Sequence, residues 1–215
     1  MSSTAISRHA LVLALFALAC TALVVVTHDG TKQRIEQAEH EAMMQTFAEI
    51  IERQRFDNDA ISDCIVQHDA EWLGVDRDLR VYRFRQQGDP VAVLMQAVAP
   101  DGYNGEIALL IGINSDGSLA GVRVSAHKET PGLGDKIEHA KSDWIARFKK
   151  LSLEVLPVER WKVKKDGGDF DAFTGATITP RAVVKAIAKA LQFHQQHREQ
   201  LYGEGTACVI NETSS

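Results

Sequence analysis

Residues 10–26, ALVLALFALACTALVVV, carry no charge. As an α-helix at about 1.5 Å per residue the run spans about 26 Å, enough to cross the apolar part of a bilayer. Whatever the rest of the chain folds into must be compatible with a membrane at this end. Arg8 ahead of the run and the small residues within it suit a cleaved export signal, and FALAC, ending at Cys20, resembles a lipoprotein cleavage box. Against both, the run continues through Leu23-Val24-Val25-Val26 with no small-x-small site at its end, and a cut at Cys20 leaves TALVVV apolar at the new terminus. The expectation is an uncleaved single-pass anchor. Its orientation is not decided by charge, because Arg8 and His9 precede the span while Lys32 and Arg34 follow it.

Of 215 residues, 45% are hydrophobic and 25% charged, which is ordinary for a globular domain with one core. The formal charge of −5, without a long Lys/Arg run, argues against nucleic acid as a partner. Cys64 and Cys208 are the cysteines outside the apolar run. They form a disulfide if the domain lies in an oxidising compartment, or stay free thiols if it does not.

Four regions follow from the patterning: a tail and anchor over 1–28, an amphipathic stalk helix over 29–60, a domain over 61–202 and a C-terminal tail over 203–215. In the stalk, Ile35, Ala38, Ala42, Met43, Phe47, Ile50 and Ile51 share one side of a helix from Thr31 to about Arg55. From Leu79 the period changes to two. LRVYRFRQQGDPVAVLMQAVAP turns at Gly88-Asp89-Pro90, and EIALLIGINSDGSLAGVRVSAH turns at Asp116-Gly117, so two hairpins predict a four-stranded antiparallel sheet. APDGYNG, residues 99–105, connects them and can reach over a ligand. A Pro/Gly loop then leads to a helix burying Ile137, Ala140, Trp144, Ile145 and Phe148, and RWKVKK, residues 160–165, reads as a further strand. The fold class expected is α+β, with helices packed on a mainly antiparallel sheet.

The densest chemistry lies in DAFTGATITPRAVVKAI, residues 171–187. Thr179 before Pro180 suits a helix start, with the Thr179 hydroxyl as cap, and Val183, Val184, Ile187, Ala188 and Leu191 continue the helix to about Gln200. Thr174-Gly175-Ala176-Thr177 is not explained that way. Small residues let backbone approach a bulky group, and N–H groups at a helix mouth suit an anion. An anion or cofactor loop and an ordinary helix-entry turn both stand on these residues alone. Neither G-x-x-x-x-G-K-[ST] nor G-x-G-x-x-G occurs, which disfavours those two kinds of nucleotide site. No metal site is expected. His127, His139, His194 and His197 have no zinc-like spacing with cysteines and read as surface histidines.

With the anchor, the hairpins, ETPGLGDKI and DAFTGATIT in one order, the chain resembles the G subunit of the Rnf/Rsx membrane electron-transport complex. It is similar, more distantly, to the C subunit of the sodium-pumping NADH:quinone oxidoreductase. The resemblance implies an FMN-binding domain with FMN joined through its phosphate to the last threonine of [ST]-G-A-T, here Thr177, by a separate flavin transferase outside the cytoplasm. It gives Thr174, Gly175 and Ala176 to the attachment sequence and Asp171 to the transferase's recognition signal. Glu129, Thr130, Gly132, Leu133 and Gly134 are then placed in a loop beside the flavin. Tyr103 is a candidate to stack on the ring, or an ordinary tyrosine, and Lys136 is a flavin contact or a solvated helix-start charge. The implied function is electron transfer within an ion-translocating complex, between ferredoxin or similar low-potential donors and NAD(H). The implied partners are the other membrane and peripheral subunits, and the implied location is the bacterial inner membrane with the domain on the periplasmic side. The alternative is a non-enzymatic extracytoplasmic flavin-binding sensor or assembly module.

Overall fold

The computed structural model describes residues 3–203 and 205–208. The chain divides into two units between Gln45 and Thr46. The first is helical. Helix α1 runs over Ser3–Ile50, so the expected anchor and stalk are one continuous element rather than two. Gly30 lies between them, and a single interior glycine costs only about 1 kcal/mol. The apolar side chains from Leu11 to Val26 stand exposed. The helix holds a stretch of mean hydropathy 2.7 within His9–Ile50, long and apolar enough to cross a membrane.

The helix ends at Ile50, earlier than Arg55, because its last turn belongs to the second unit and is committed to packing. That unit is an antiparallel meander of strands β1 (Cys64–Gln67), β2 (Leu79–Gln86), β3 (Asp89–Gly102), β4 (Gly105–Asn114) and β5 (Leu119–Ala126), in that order across the sheet. The two predicted hairpins are present, and β1 adds an edge strand that the sequence pattern does not announce. A one-turn helix α2 (Ala70–Leu73) joins β1 to β2, started by the Asp69 carboxylate on the Trp72 N–H. After β5 come helices α3 (Ile178–Gln196) and α4 (Arg198–Tyr202).

Period-two alternation gives the sheet two buried faces. Val81, Met95, Ile111 and Val122 are aligned across neighbouring strands and lie in the main core with Val183, Ile187 and Leu191 of α3. One residue along, Tyr82, Leu94, Gly112 and Gly121 form the next aligned row. Here the end of α1 docks. The Phe47 ring lies 4.7 Å from that of Tyr82, and Ile50 sits over the two glycines, where a Cβ on Gly112 would approach its side chain to 2.5 Å.

Two expected elements are absent. Residues 137–148 form short 3₁₀ turns at Gly134–Ile137 and Ile145–Phe148 instead of an α-helix. The Ser142 hydroxyl donates to the Lys136 carbonyl and accepts the Trp144 N–H, so a side chain takes bonds that a helix ladder would need. Residues 160–165 are not a strand either. Trp161 and Val163 are buried and the lysines between and after them exposed, which imitates strand alternation. Trp161 instead packs with Phe148 and Phe170, and the pairing of the segment is an isolated bridge from Val163 to Phe170.

The C-terminal segment closes the edge of the sheet. The Thr206 carbonyl accepts the Val66 N–H, Cys208 donates to the Cys64 carbonyl, and Cys64 and Cys208 are joined in a disulfide across 144 positions. By chain entropy such a closure stabilises the fold by about 5 kcal/mol. Asp63 binds Arg83 and Arg85 together, and these arginines also donate to the Gly203 and Tyr202 carbonyls.

His194, expected at the surface, is only 2% exposed, at 3.1 Å from the Tyr202 hydroxyl. Burial, reinforced by Arg198, pushes its pKa down to about 4, so the folded state holds it neutral. The unfolded chain takes up this proton first as pH falls. Stability linked to His194 is therefore present above about pH 6.5 and is lost towards pH 4, amounting to about 3 kcal/mol. We expect His194→Gln to flatten that part of the acid limb when denaturation of the detergent-solubilised chain is followed between pH 7 and 4. Parallel curves for variant and wild type would contradict the assignment.

Candidate functional site

The tip of the β3–β4 hairpin, the loop after β5 and the start of α3 meet around a cavity of about 250 Å³. The hairpin supplies Tyr103, the loop supplies Glu129, Thr130, Leu133 and Gly134, and the helix mouth supplies Gly175 to Thr179.

Each segment has a local reason for its shape. Strands β3 and β4 run up to Gly102 and restart at Gly105, leaving only Tyr103 and Asn104 at the tip. In the loop, the Thr130 carbonyl accepts the N–H groups of Leu133 and Gly134, which turns the chain over Pro131-Gly132. At the helix mouth the Ala176 N–H returns to the Phe173 carbonyl, and Gly175 sits at φ +83°, a conformation that side-chain-bearing residues resist. The glycine of TGAT is thus a turn requirement before it is anything else.

Glu129 is the hub. It is 4% exposed; Oε1 accepts the Asn104 N–H at 3.1 Å and Oε2 accepts the Thr179 hydroxyl. Its own N–H donates to His127 Nδ1 at 3.0 Å, which leaves His127 Nε2 to donate to Glu138 at 2.8 Å. A Cβ on Gly134 would lie 2.9 Å from both Glu129 Oε2 and Thr179 Oγ1, so only glycine fits against the pair.

Thr179 is therefore not the helix cap that the Thr-Pro sequence suggests. Helix α3 begins two residues earlier than that, at Ile178, with Thr177 at the cap position. Pro180 falls in the first turn, where its missing N–H costs no intrahelical bond. Thr177 lines the cavity, and its hydroxyl makes no capping bond. First-turn N–H groups have no acceptor within the helix, so a hydroxyl and an electropositive helix end share one wall.

The rim is apolar. Tyr103, Leu133 and Ile178 are 63%, 41% and 44% exposed, high values for large side chains around one opening. A planar ring lying across this rim and a phosphate at the α3 N-terminus match the two kinds of surface. On that ground the residues fit a flavin nucleotide.

Of the residues singled out from sequence, Tyr103, Glu129, Thr130, Leu133, Gly134, Gly175, Ala176 and Thr177 line the cavity together. Gly132, Thr174, Lys136 and Asp171 do not. Asp171 is ion-paired with Lys164 and Arg147, which hold its carboxyl below the usual carboxylate range. Asn104, Ile178 and Asp135 were missed. Asn104 acts through its backbone N–H on Glu129 and through its side-chain amide, which donates to the Thr130 hydroxyl at 3.3 Å, and Ile178 is bare apolar surface, so neither stands out by residue type. Asp135, buried beside Gly134, keeps one carboxylate oxygen without a hydrogen bond among the described residues. A second cavity, about 160 Å³, lies at the other end of α3 among Asp116, Ser152, His194 and Arg198, away from the threonines.

The fold and the site together define an FMN-binding domain carried behind an apolar N-terminal helix. Residues 102–192 match the FMN-binding domain family and residues 1–50 match the RnfG N-terminal region. The chain is 46% identical over 205 residues to the G subunit of the ion-translocating oxidoreductase complex of Shewanella loihica, covering 95% of this chain and 97% of that protein. It is 45% identical to the corresponding protein of Vibrio atlanticus, over 95% and 97%, and 44% identical to that of Shewanella oneidensis, over 94% and 95%. The chain belongs to the family of G subunits of ion-translocating oxidoreductase complexes.

The Glu129 contact separates a cap from a buried hydrogen bond. Thr179→Val keeps the shape of the side chain but removes a donor from a buried carboxylate, with an expected loss of about 1–3 kcal/mol. Thr179→Ser should retain most of the stability. Equal melting temperatures for wild type and Thr179→Val would remove Glu129 from the framework of the site.

Proposed function

We propose that this subunit carries electrons through an FMN esterified by its phosphate to Thr177. The observation that bears most weight is Thr177 at the cap position of α3, where its hydroxyl makes no capping bond, in the lining of a cavity with an apolar rim. Thr174 is exposed on the turn and outside the cavity lining, and the Thr179 hydroxyl is bound to Glu129. Among the three alcohols, Thr177 alone combines a place in the cavity lining, a hydroxyl without a hydrogen bond among the described residues and the helix cap position.

When bound, the isoalloxazine supplies reversible redox chemistry, and the protein supplies position and electrostatics. The first turn of α3 would hold the phosphate, an interaction of about 0.3–1 kcal/mol where exposed. Tyr103, Leu133 and Ile178 offer apolar contact to the ring. Glu129 places a negative charge at the inner wall, fixed by two donors so that it does not turn away. The covalent link suits a compartment with little free FMN, where mass action does not keep a site filled.

In this reading the chain is anchored by α1 in the inner membrane, with its domain on the periplasmic side. There the Cys64–Cys208 disulfide is compatible with its surroundings and a flavin transferase reaches the acceptor. The donors and acceptors are the other membrane and peripheral subunits, in a complex that exchanges electrons between ferredoxin or similar low-potential donors and NAD(H). That the relatives are subunits of ion-translocating oxidoreductase complexes supports this setting.

Flavin fluorescence on a denaturing gel tests attachment and side together. Wild type should fluoresce when the transferase is exported and stay dark when it is confined to the cytoplasm, while Thr177→Ala stays dark in both. Full labelling of Thr177→Ala sinks the site, and labelling of wild type by the cytoplasmic transferase sinks the orientation.

The charge at Glu129 has its own consequence. A fixed anion disfavours the more negatively charged reduced flavin, so Glu129→Gln should leave Thr177 labelled and raise the midpoint potential on the order of tens of millivolts. Spectroelectrochemical titration of the two proteins measures this. An unchanged or lowered potential rules the electrostatic role out.

A further inference from the structure

The segment that carries the acceptor threonine is held at both ends by one short turn. Lys164–Asp166 is a single 3₁₀ turn in the loop before it. Lys164 Nζ reaches Asp171 at 2.7 Å, where the acceptor segment begins, and the Asp166 carboxylate takes Arg181 of α3 through Nε at 2.6 Å and Nη2 at 2.9 Å, where it ends. The first end is further fixed. Arg147 binds the other Asp171 oxygen at 2.5 Å, the Trp144 indole N–H donates to the Asp171 carbonyl at 2.8 Å, and the Phe173 ring packs edge-on to Trp144 at 5.2 Å. Thr177 lies between these two ionic anchorages.

We propose that Lys164 and Asp166 are positioning residues for the modification of Thr177, acting as a bracket that holds residues 171–181 so that the hydroxyl is presented to the incoming flavin nucleotide. This rests on the reading of Thr177 as the FMN acceptor. In the transfer, the Thr177 Oγ–H bond and the phosphoanhydride bond of a flavin dinucleotide break. The Oγ–P bond forms, a nucleoside monophosphate leaves, and the hydroxyl proton passes to a base of the transferase. None of the bracket residues touches these atoms.

The magnitudes favour positioning over stability. The paired side chains are between a third and two thirds exposed, and ion pairs of that kind contribute little to folding. Misplacement of a reacting group by about 1 Å, by contrast, costs on the order of a hundredfold in rate. Arg181 holds the Asp166 carboxyl below the usual carboxylate range, and Lys164 with Arg147 does the same for Asp171. The bracket also gives Asp171 a different role from a free recognition signal. Its carboxylate is already engaged from two sides, so its effect on modification runs through the shape of the turn.

The test uses the full chain in detergent with purified transferase and flavin adenine dinucleotide as the flavin source, following covalent fluorescence and the mass of the Thr177 peptide. In the double variant Lys164→Gln/Asp166→Asn, kcat for transfer should fall about tenfold or more, with KM for the acceptor and the melting temperature little changed. Exchanging one pair, Asp166→Arg with Arg181→Asp in an otherwise native chain, should keep transfer within about threefold of wild type, whereas Asp166→Arg alone should be slow. Unchanged kcat in the neutral double variant overturns the bracket. So does faster transfer on releasing Asp171 by Lys164→Gln together with Arg147→Gln, or a defect confined to KM, since either means that the transferase reads the free carboxylate. Wild type that takes up no covalent flavin overturns the Thr177 reading itself, and the bracket with it, and is told apart because no variant comparison is then needed.

Discussion

A carboxylate cannot be buried without donors, and the site is arranged around meeting that demand for Glu129. The two donors come from distant parts of the chain: the backbone of Asn104 at a hairpin tip and the hydroxyl of Thr179 in the first turn of α3. Satisfying both oxygens therefore fixes the hairpin, the loop and the helix relative to one another. Gly134 lets the loop come close enough, and His127 holds the Glu129 backbone from the other side. The cavity is the space left once those bonds are made. Its apolar rim and its helix terminus follow from where the three segments must lie.

The sheet gives this arrangement something rigid to hang on. Each of its faces is packed: one against α3, the other against the last turn of α1, where Ile50 fits over the Gly112 and Gly121 pair. A one-residue slip in register would place side chains where Ile50 sits and move the core row to the wrong face. The edge is closed separately, by residues 206–208 on β1 and by the disulfide at Cys64. Strand position is thus over-determined, and with it the hairpin tip that carries Asn104 and Tyr103.

What was legible in the sequence was what has a period or a motif. Alternation from Leu79 onward marked the two hairpins, and the uncharged run marked the long helix. The small residues around Thr177, together with ETPGLG, marked two of the segments that line the cavity. Residues 137–148 and 160–165 misled because their apolar spacing arises from an aromatic cluster of Trp144, Phe148, Trp161 and Phe170 that irregular backbone serves as well as a helix or strand does. Edge strand β1 was too short to show a period. Thr179 misled for a different reason. Thr-Pro is a good local start signal, but the hydroxyl gains more from a buried carboxylate than from an exposed N–H, and tertiary demand set the helix boundary two residues earlier.

The three threonines at the helix mouth show how one short stretch divides its work. Thr174 sits on the exposed corner of a turn that Gly175 makes possible, Thr179 is consumed by the framework, and Thr177 is left at the boundary between them. Had Thr177 made the capping bond, its oxygen would be directed at the helix backbone. One of its two usual donors is missing, because the third helical residue is Pro180, which has no N–H. The Thr177 carbonyl already accepts the Arg181 N–H, and Arg181 is also tied to Asp166, so the first turn is secured without the side chain. Among the described residues the Thr177 hydroxyl makes no capping bond, and the neighbouring residues hold the helix start.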